Sequence, residues 1–422
     1  MKYKEKMNLF ILIIVAITPF MYFPNEISYS SLPRFLSLFI LTIVISITIL
    51  LRKSKEIYPI LIEDKLLIIY LLFIIISTAF SYNHIYSLIG YANRFEGLTT
   101  LIMYFFVFFI SYRNFEFRNK NFRIFIISTI FLSLYGIIQY FGYDPMPQEL
   151  ARVTFFERGH STFGNPNFYG TYLTLVLPIA TFAYLKTGTL LYLLASGVIY
   201  FSLIISFTRS SWVGSFFSFG IILYTAIKYK FDKKHILLLI VLLLIITAAI
   251  EIESEGRVIA RLLSIAEDAE KVFEQTDGYE DAGANRIFIW KRVIPLIFER
   301  PFLGFGPETL GEVFSERYMD EVIAEYDREI IFDKAHNEYL HIAVTTGIPS
   351  LIIYISFVYL ILRRAYKNKE RNIMIIPLMA SIAGYLIQAF FNLSIITVAY
   401  IYWAFLGITL RLSLDAEEYY SV

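Results

Sequence analysis

A guanidinium that cannot shed its charge, placed where two apolar runs meet with almost no loop between them, requires a chemical reason. Arg209 in SFTRSSWVG (206–214) is such a residue. Within a bilayer it would cost about 2.5–3.5 kcal/mol. Two readings fit it. One is an interfacial arginine snorkelling beside Trp212. The other is an anion site, because a planar five-donor fork suits a phosphate. Arg286 in ANRIFIW (284–290) opens an amphipathic segment. There backbone N–H groups and a guanidinium can face one anion together, or the charge can simply be solvated. His336 in KAHNEYLHIAVTTGIPS (334–350) stands where a long polar stretch returns to apolar sequence. Its imidazole is either a proton acceptor near neutral pH or a helix-end side chain satisfied by backbone. His341 follows five residues later, too far to stack on it, and no HExxH pattern or Asp/Glu/Cys set completes a metal site.

Weaker signals accompany these. GHSTFGNPNFYGTYL (159–173) is turn-rich; Asn165 and Asn167 flank Pro166 and either cap the next helix or contact a ligand. Asn93-Arg94-Phe95-Glu96-Gly97 has the same character, with Arg94 a second candidate for glycan or phosphate contact. The glycines of GFGPETLG (304–311) follow no strand and read as a helix-entry turn.

The elements that hold these residues are apolar. Hydrophobic residues make up 57% of the 422 and charged residues 17%, against roughly 25% in a soluble domain. Mean hydropathy is +0.61. A soluble enzyme, a disordered chain and a disulfide scaffold are excluded, the last because there is no cysteine. A net charge of +1 leaves no basic face for nucleic acid. The pattern predicts an all-α polytopic membrane protein with about twelve spans, near 8–23, 35–51, 66–80, 98–112, 122–141, 168–185, 189–206, 212–228, 235–250, 340–362, 373–391 and 395–412. The first is expected to be retained rather than cleaved, since Pro19 and Pro24 follow the apolar run and no small-residue cleavage site does.

Lysine and arginine orient the spans. One set of connections holds 22 of the 37 basic residues, and the short loops of the other side hold Arg34, Arg94, Arg152, Arg158 and Arg209. Both termini are therefore expected in the cytoplasm of a multi-pass inner-membrane protein, with the sparse arginines outside. Residues 1–250 hold nine spans, 251–336 an outer loop with 20 of the 36 acidic residues, and 337–422 the last three spans. Inside the loop, 257–273 places Val258, Leu262, Ile265, Ala269 and Val272 on one stripe. Residues 285–301 are expected to lie in the membrane interface, kinked by Pro295 and ended by Pro301, and 307–326 form another helix. Together these predict a helical cap.

RFEG (94–97), STFGNPNFYGTYL (161–173), FTRSSWVG (207–214), NRIFIW (285–290), RPFLGFGPETL (300–310) and AHNEYLHIAVTTGIPSLI (335–352), in this order, resemble the O-antigen ligase and polymerase superfamily of bacterial envelope glycosyltransferases. The resemblance spans nearly the whole chain. It implies a C-type glycosyltransferase architecture that moves a glycan from undecaprenyl diphosphate to an acceptor hydroxyl on the extracytoplasmic face, with inversion and without metal or other cofactor. It also implies His336 as the essential histidine, and Arg209 and Arg286 as diphosphate-binding arginines. Many relatives carry a further arginine or glycine beside the first arginine, where this chain reads SFTRSSWVG. The acceptor could be lipid-A core, a growing polysaccharide or a protein hydroxyl, so ligase, polymerase and protein O-oligosaccharyltransferase share the chemistry. A secondary transporter is the alternative of another class; against it, the spans are nearly free of acids and the unusual charges gather at the outer surface. A scaffold with the acidic loop as docking surface is a third.

Overall fold

The computed structural model describes residues 3–23, 30–52, 59–91, 94–144, 157–274 and 282–419, and every regular element among them is a helix. Arg152, Asn93, Pro24 and Glu26 lie outside the described residues. In chain order the α-helices are α1 (Tyr3–Leu12), α2 (Ser31–Leu50), α3 (Ile62–Ala79), α4 (His84–Ile89), α5 (Leu98–Asn114), α6 (Asn119–Tyr140), α7 (Pro166–Thr187), α8 (Leu190–Ile205) and α9 (Arg209–Lys228). Then follow α10 (Lys233–Glu253), α11 (Arg257–Glu274), α12 (Ala282–Glu299), α13 (Leu310–Tyr326), α14 (Glu338–Thr346), α15 (Ile348–Asn368), α16 (Ile375–Ala389) and α17 (Ala399–Tyr419).

Among the described residues, six helices are long and apolar enough to cross a membrane: α2, α6, α7, α9, α10 and α15. Three more, α5, α8 and α16, are apolar but shorter. The remaining expected spans differ for local reasons. The run 8–23 starts as α1 and then passes through a π turn (Ile13–Ile17) and a 3-10 turn (Thr18–Phe20), where Pro19 withdraws a backbone donor. α3 opens on Glu63-Asp64-Lys65, and α17 closes on Asp415, Glu417 and Glu418. The run 340–362 is two helices. They part at Gly347, whose φ of +94° suits glycine and whose Cβ, if it had one, would stand 2.2 Å from the Phe302 carbonyl oxygen. The count of about twelve crossings is thus a proposal that adds the shorter and more charged helices to the six.

α7 is the centre of the bundle. Asn165 caps it, Pro166 occupies its first turn, and every residue from Phe168 to Leu185 is buried. It packs against α8, α9 and α16, while α5 packs on α17 and α3 on α15. α9 and α16 approach almost backbone to backbone at Gly214 and Gly384, where a Cβ on Gly214 would meet the Gly384 carbonyl oxygen at 2.4 Å.

A second core lies outside this bundle. Phe288, Ile289, Val293, Leu296 and Ile297 of α12 meet Val313, Phe314 and Val322 of α13, with Ala343 and Val344 of α14. The apolar face expected to lie in the interface is therefore the inner face of the cap, because its partners from α13 and α14 cover it; only the far edge, Ile294 and Phe298, stays outward. α12 runs through Pro295 and ends at Glu299, just before Pro301. Among the described side chains, none of α11 joins the cap's core, and its Val258 belongs to the core of the bundle.

Candidate active site

Arg209 is the first residue of α9 and its side chain reaches α11. It donates to the Ser264 carbonyl oxygen (3.3 Å), to Ser264 Oγ (3.2 Å) and to the Asp268 carboxylate. The same Asp268 oxygen accepts the Gly283 N–H at 3.0 Å, in the first turn of α12. Arg286 follows three residues later, one helical turn on, and donates to the Gly283 carbonyl. One carboxylate thus joins the starts of the two helices that carry the two arginines. Burial and then the neighbouring Arg209 hold the Arg286 guanidinium down to about 10, with Asp268 opposing and Arg261 adding to the repulsion. Arg261 of α11, itself lowered by burial and by Arg209, donates from Nε to the Phe207 carbonyl at 3.3 Å. Three guanidiniums therefore gather around one carboxylate, an excess of positive charge that suits an anion.

His336 sits in the loop that closes the cap, directly before α14, whose first turn Asn337 caps through Leu340 N (3.0 Å). Its position is fixed from α12. Trp290, four residues beyond Arg286, donates its indole N–H to the Ala335 carbonyl at 2.8 Å. The indole is wedged edge-on against Phe390, with ring centroids 5.5 Å apart. Burial pushes the His336 imidazole down to about 4, and the Arg286 charge is the next cause, followed on the same side by Arg94 and Lys334, with Asp333 opposing. Arg286 therefore lies within electrostatic reach of both Arg209 and His336, and the imidazole is neutral at pH 7, the form that can take a proton.

The remaining candidates divide. Arg94 is ion-paired with Asp333 at 2.9 Å, three residues before His336, so it braces that loop and adds to its field. Asn165 spends its side-chain oxygen on the Asn167 N–H (2.8 Å) as the cap of α7, and Asn167 Oδ1 accepts from Thr208 Oγ1 (3.4 Å), one residue before Arg209. Both therefore shape the floor on which Arg209 stands. Of the other arginines expected on the outer side, Arg34 is fully buried. It donates to the carbonyls of Pro19 (2.6 Å), Ser30 (2.9 Å) and Thr162 (3.2 Å), lashing the 161–164 turn to the end of the first element. Arg158 holds the approach to α9 through Ser206 O (2.8 Å) and Thr208 Oγ1 (3.2 Å).

Backbone strain is concentrated at the same places. Phe95, Ser161, Phe207, Asn285, Glu308 and His336 all have φ between +46° and +65°, and each lies in one of the six motif segments. Left-handed backbone is disfavoured for such side chains and persists where surrounding contacts impose it. Behind His336 the imposing contacts are buried and polar. Lys334 pairs with Glu308, Tyr104 donates to Glu96 (2.6 Å), and Tyr354 and Tyr385 donate to Glu338 (2.9 and 3.0 Å). All but Tyr385 line a cavity of about 70 Å³ that His341 also lines.

A larger cavity, about 480 Å³, lies along α9 from Trp212 onward, one turn beyond Arg209. Its walls come from α8 (Leu203, Ile204), α9 (Trp212, Phe216) and α10 (Leu243, Leu244), among others. Val258, Leu262 and Ile265 of α11 cover it, so the first three residues of the stripe expected from the sequence face an apolar chamber, while the side chains of Ala269 and Val272 lie outside the described ones. Sequence reasoning missed Asp268, Arg261 and Trp290. The first two had a legible signal: Arg257, Arg261, Ser264 and Asp268 fall on one helical stripe, about a quarter-turn from the apolar one. Trp290 had none, because its partner is 45 residues away.

No curated protein matches this chain. Residues 191–355, from α8 into α15 and including Arg209, Arg286 and His336, match the family model of O-antigen ligase, and the match supports the chain's place in the O-antigen ligase superfamily of multi-pass membrane proteins.

Proposed function

We propose that the protein is an extracytoplasmic glycosyltransferase of the inner membrane, transferring a glycan from an undecaprenyl diphosphate carrier to an acceptor hydroxyl in the manner of an O-antigen ligase. The observation that carries this reading is the junction of two unlike environments. A cluster of guanidiniums gathers on the same two helices, α9 and α11, that wall and cover an apolar chamber, and a buried neutral imidazole lies within the field of that cluster. An amphiphile with a diphosphate head and a long hydrocarbon tail matches both halves, with the head at Arg209 and Arg286 and part of the tail in the chamber below Trp212.

In this mechanism His336 accepts the proton of the acceptor hydroxyl as its oxygen attacks the anomeric carbon, a contribution of about 10²–10⁴-fold. The bond from that carbon to the phosphate oxygen breaks. The charge that develops on undecaprenyl diphosphate is stabilised by Arg209 and Arg286, roughly 1.5–3 kcal/mol each. One displacement inverts the anomeric centre and needs no covalent enzyme intermediate. The family match supports the reaction class; lipid-A core, a growing polysaccharide and a protein hydroxyl are all acceptors this chemistry serves.

The test is transfer in proteoliposomes, using lipid-linked glycan extracted from host cells that lack this protein. His336→Ala, Arg209→Ala and Arg286→Ala are each expected to lower turnover by about 10²-fold or more. Folded variants that keep wild-type turnover would overturn the assigned roles.

A further inference from the structure

α11 presents two stripes to the rest of the molecule. Val258, Leu262 and Ile265 roof the apolar chamber. Arg257, Arg261, Ser264 and Asp268 face the start of α9. There Arg257 pairs with Glu157, Arg261 donates to the Phe207 carbonyl, and Ser264 and Asp268 accept from Arg209. Elsewhere the helix is capped from α10, where Glu251 accepts the Val258 and Ile259 N–H groups, and it touches α12. Ile259 and Leu263 are more than half exposed, and among the described side chains the polar fixings along this stripe converge on the guanidinium cluster.

Asp268 occupies that cluster as a phosphate oxygen would. It accepts from a guanidinium and from a backbone N–H in the first turn of a helix, the two donor types that bind anions at such sites. Arg286 beside it keeps a buried Nε–H with no partner among the described residues. A single carboxylate leaves the arginines in excess; a diphosphate carries more charge and more acceptor oxygens.

We infer that Asp268 is a resident anion that the donor's diphosphate displaces, and that this exchange releases α11 and opens the apolar chamber beneath it to the carrier's tail. This rests on the diphosphate reading above and deepens it: the residue that holds the cover shut is the one the substrate must replace. Tail entry is thereby coupled to recognition of the head, so a neutral lipid does not open the chamber.

The experiment uses the full-length protein in detergent, with inorganic pyrophosphate as probe. Its dissociation constant is measured by calorimetry for the wild type, Asp268→Asn, Arg209→Ala and a control, Glu267→Gln, whose carboxylate is one residue along and exposed. Removing one negative charge a few ångströms from the phosphates is expected to tighten binding by about tenfold or more in D268N. E267Q should stay within about twofold, since water and salt screen an exposed charge. Independently, pyrophosphate added to the wild type should raise amide hydrogen exchange across residues 257–274. If D268N binds no more tightly than the wild type, and wild-type exchange in α11 does not rise, the latch is refuted while the diphosphate site stands. If neither the wild type nor D268N binds more tightly than R209A, the diphosphate reading itself is refuted, and the latch with it. Should D268N fail to fold, the exchange measurement on the wild type decides.

Discussion

Trp290→Phe isolates positioning from chemistry. Trp290 touches neither arginine's hydrogen bonds nor the imidazole; it holds the carbonyl of Ala335, the residue before His336, through one indole N–H at 2.8 Å. Phenylalanine keeps an aromatic ring against Phe390 and removes only that donor. A hydrogen bond of this kind contributes about 0.5–1.5 kcal/mol net. Against it stands the left-handed backbone of His336, φ +48°, which costs roughly 1–2 kcal/mol for a residue with a side chain. The two are of equal size, so without the bond the loop can relax toward ordinary φ, and the imidazole spends most of its time out of line. Losing the bond costs the productive geometry about 0.5–1.5 kcal/mol, which corresponds to a fall of about 2–13-fold in kcat. The KM for donor should change little, because Arg209, Arg286 and Asp268 keep their contacts. The assay is initial-rate glycan transfer in proteoliposomes with the donor concentration varied. An unchanged kcat, or a rise in donor KM at constant kcat, would refute the claim that α12 positions the base.

Other consequences follow from burial. Lys334→Met strands the buried Glu308 carboxylate and should destabilise the protein by about 3–5 kcal/mol, seen as a lowered thermal midpoint in detergent; the double variant with Glu308→Gln should recover part of it. Gly347→Ala places a Cβ against the Phe302 carbonyl at a φ that alanine avoids, and should lower the midpoint by the equivalent of about 1–3 kcal/mol or more; an unchanged midpoint would contradict the break between α14 and α15. The depressed imidazole sets a pH signature. The fold favours neutral His336, so its share of stability is intact above the unfolded value near 6.5 and is lost as pH falls toward 4. Relative to His336→Gln, the wild type should therefore lose at most about 3 kcal/mol between pH 7 and pH 4. A stability difference that stays flat over that interval would show the imidazole to be solvated.

Much of the site was readable because its residues announce themselves by being out of place. An arginine at an apolar helix end, and a histidine where a polar loop returns to the membrane, have few inexpensive explanations. The supporting residues do not announce themselves. Asp268 is one acid among twenty in residues 251–336, and only its pairing across to α9 distinguishes it. Lys334 and Glu308 read as surface charges in an acidic loop until folding buries them together. The fold was legible as hydropathy, which reports apolar length and not continuity. Residues 340–362 look like one span although Gly347 and Pro349 mark a joint between two helices. The face of α12 looked suited to lipid because a sequence does not say which apolar surface α13 will cover.

The division of α11 from the cap's core has a practical reach for domain exchange among relatives. α12, α13 and α14 share one set of apolar contacts that takes no described side chain from α11, whose Val258 packs into the bundle. A chimera that swaps the cap should therefore be cut before residue 282 and at the Gly347 joint. It would keep the recipient's own 257–274, so that the grafted block arrives with its interior whole and the bundle undisturbed, with the graft supplying the Gly283 N–H that Asp268 accepts.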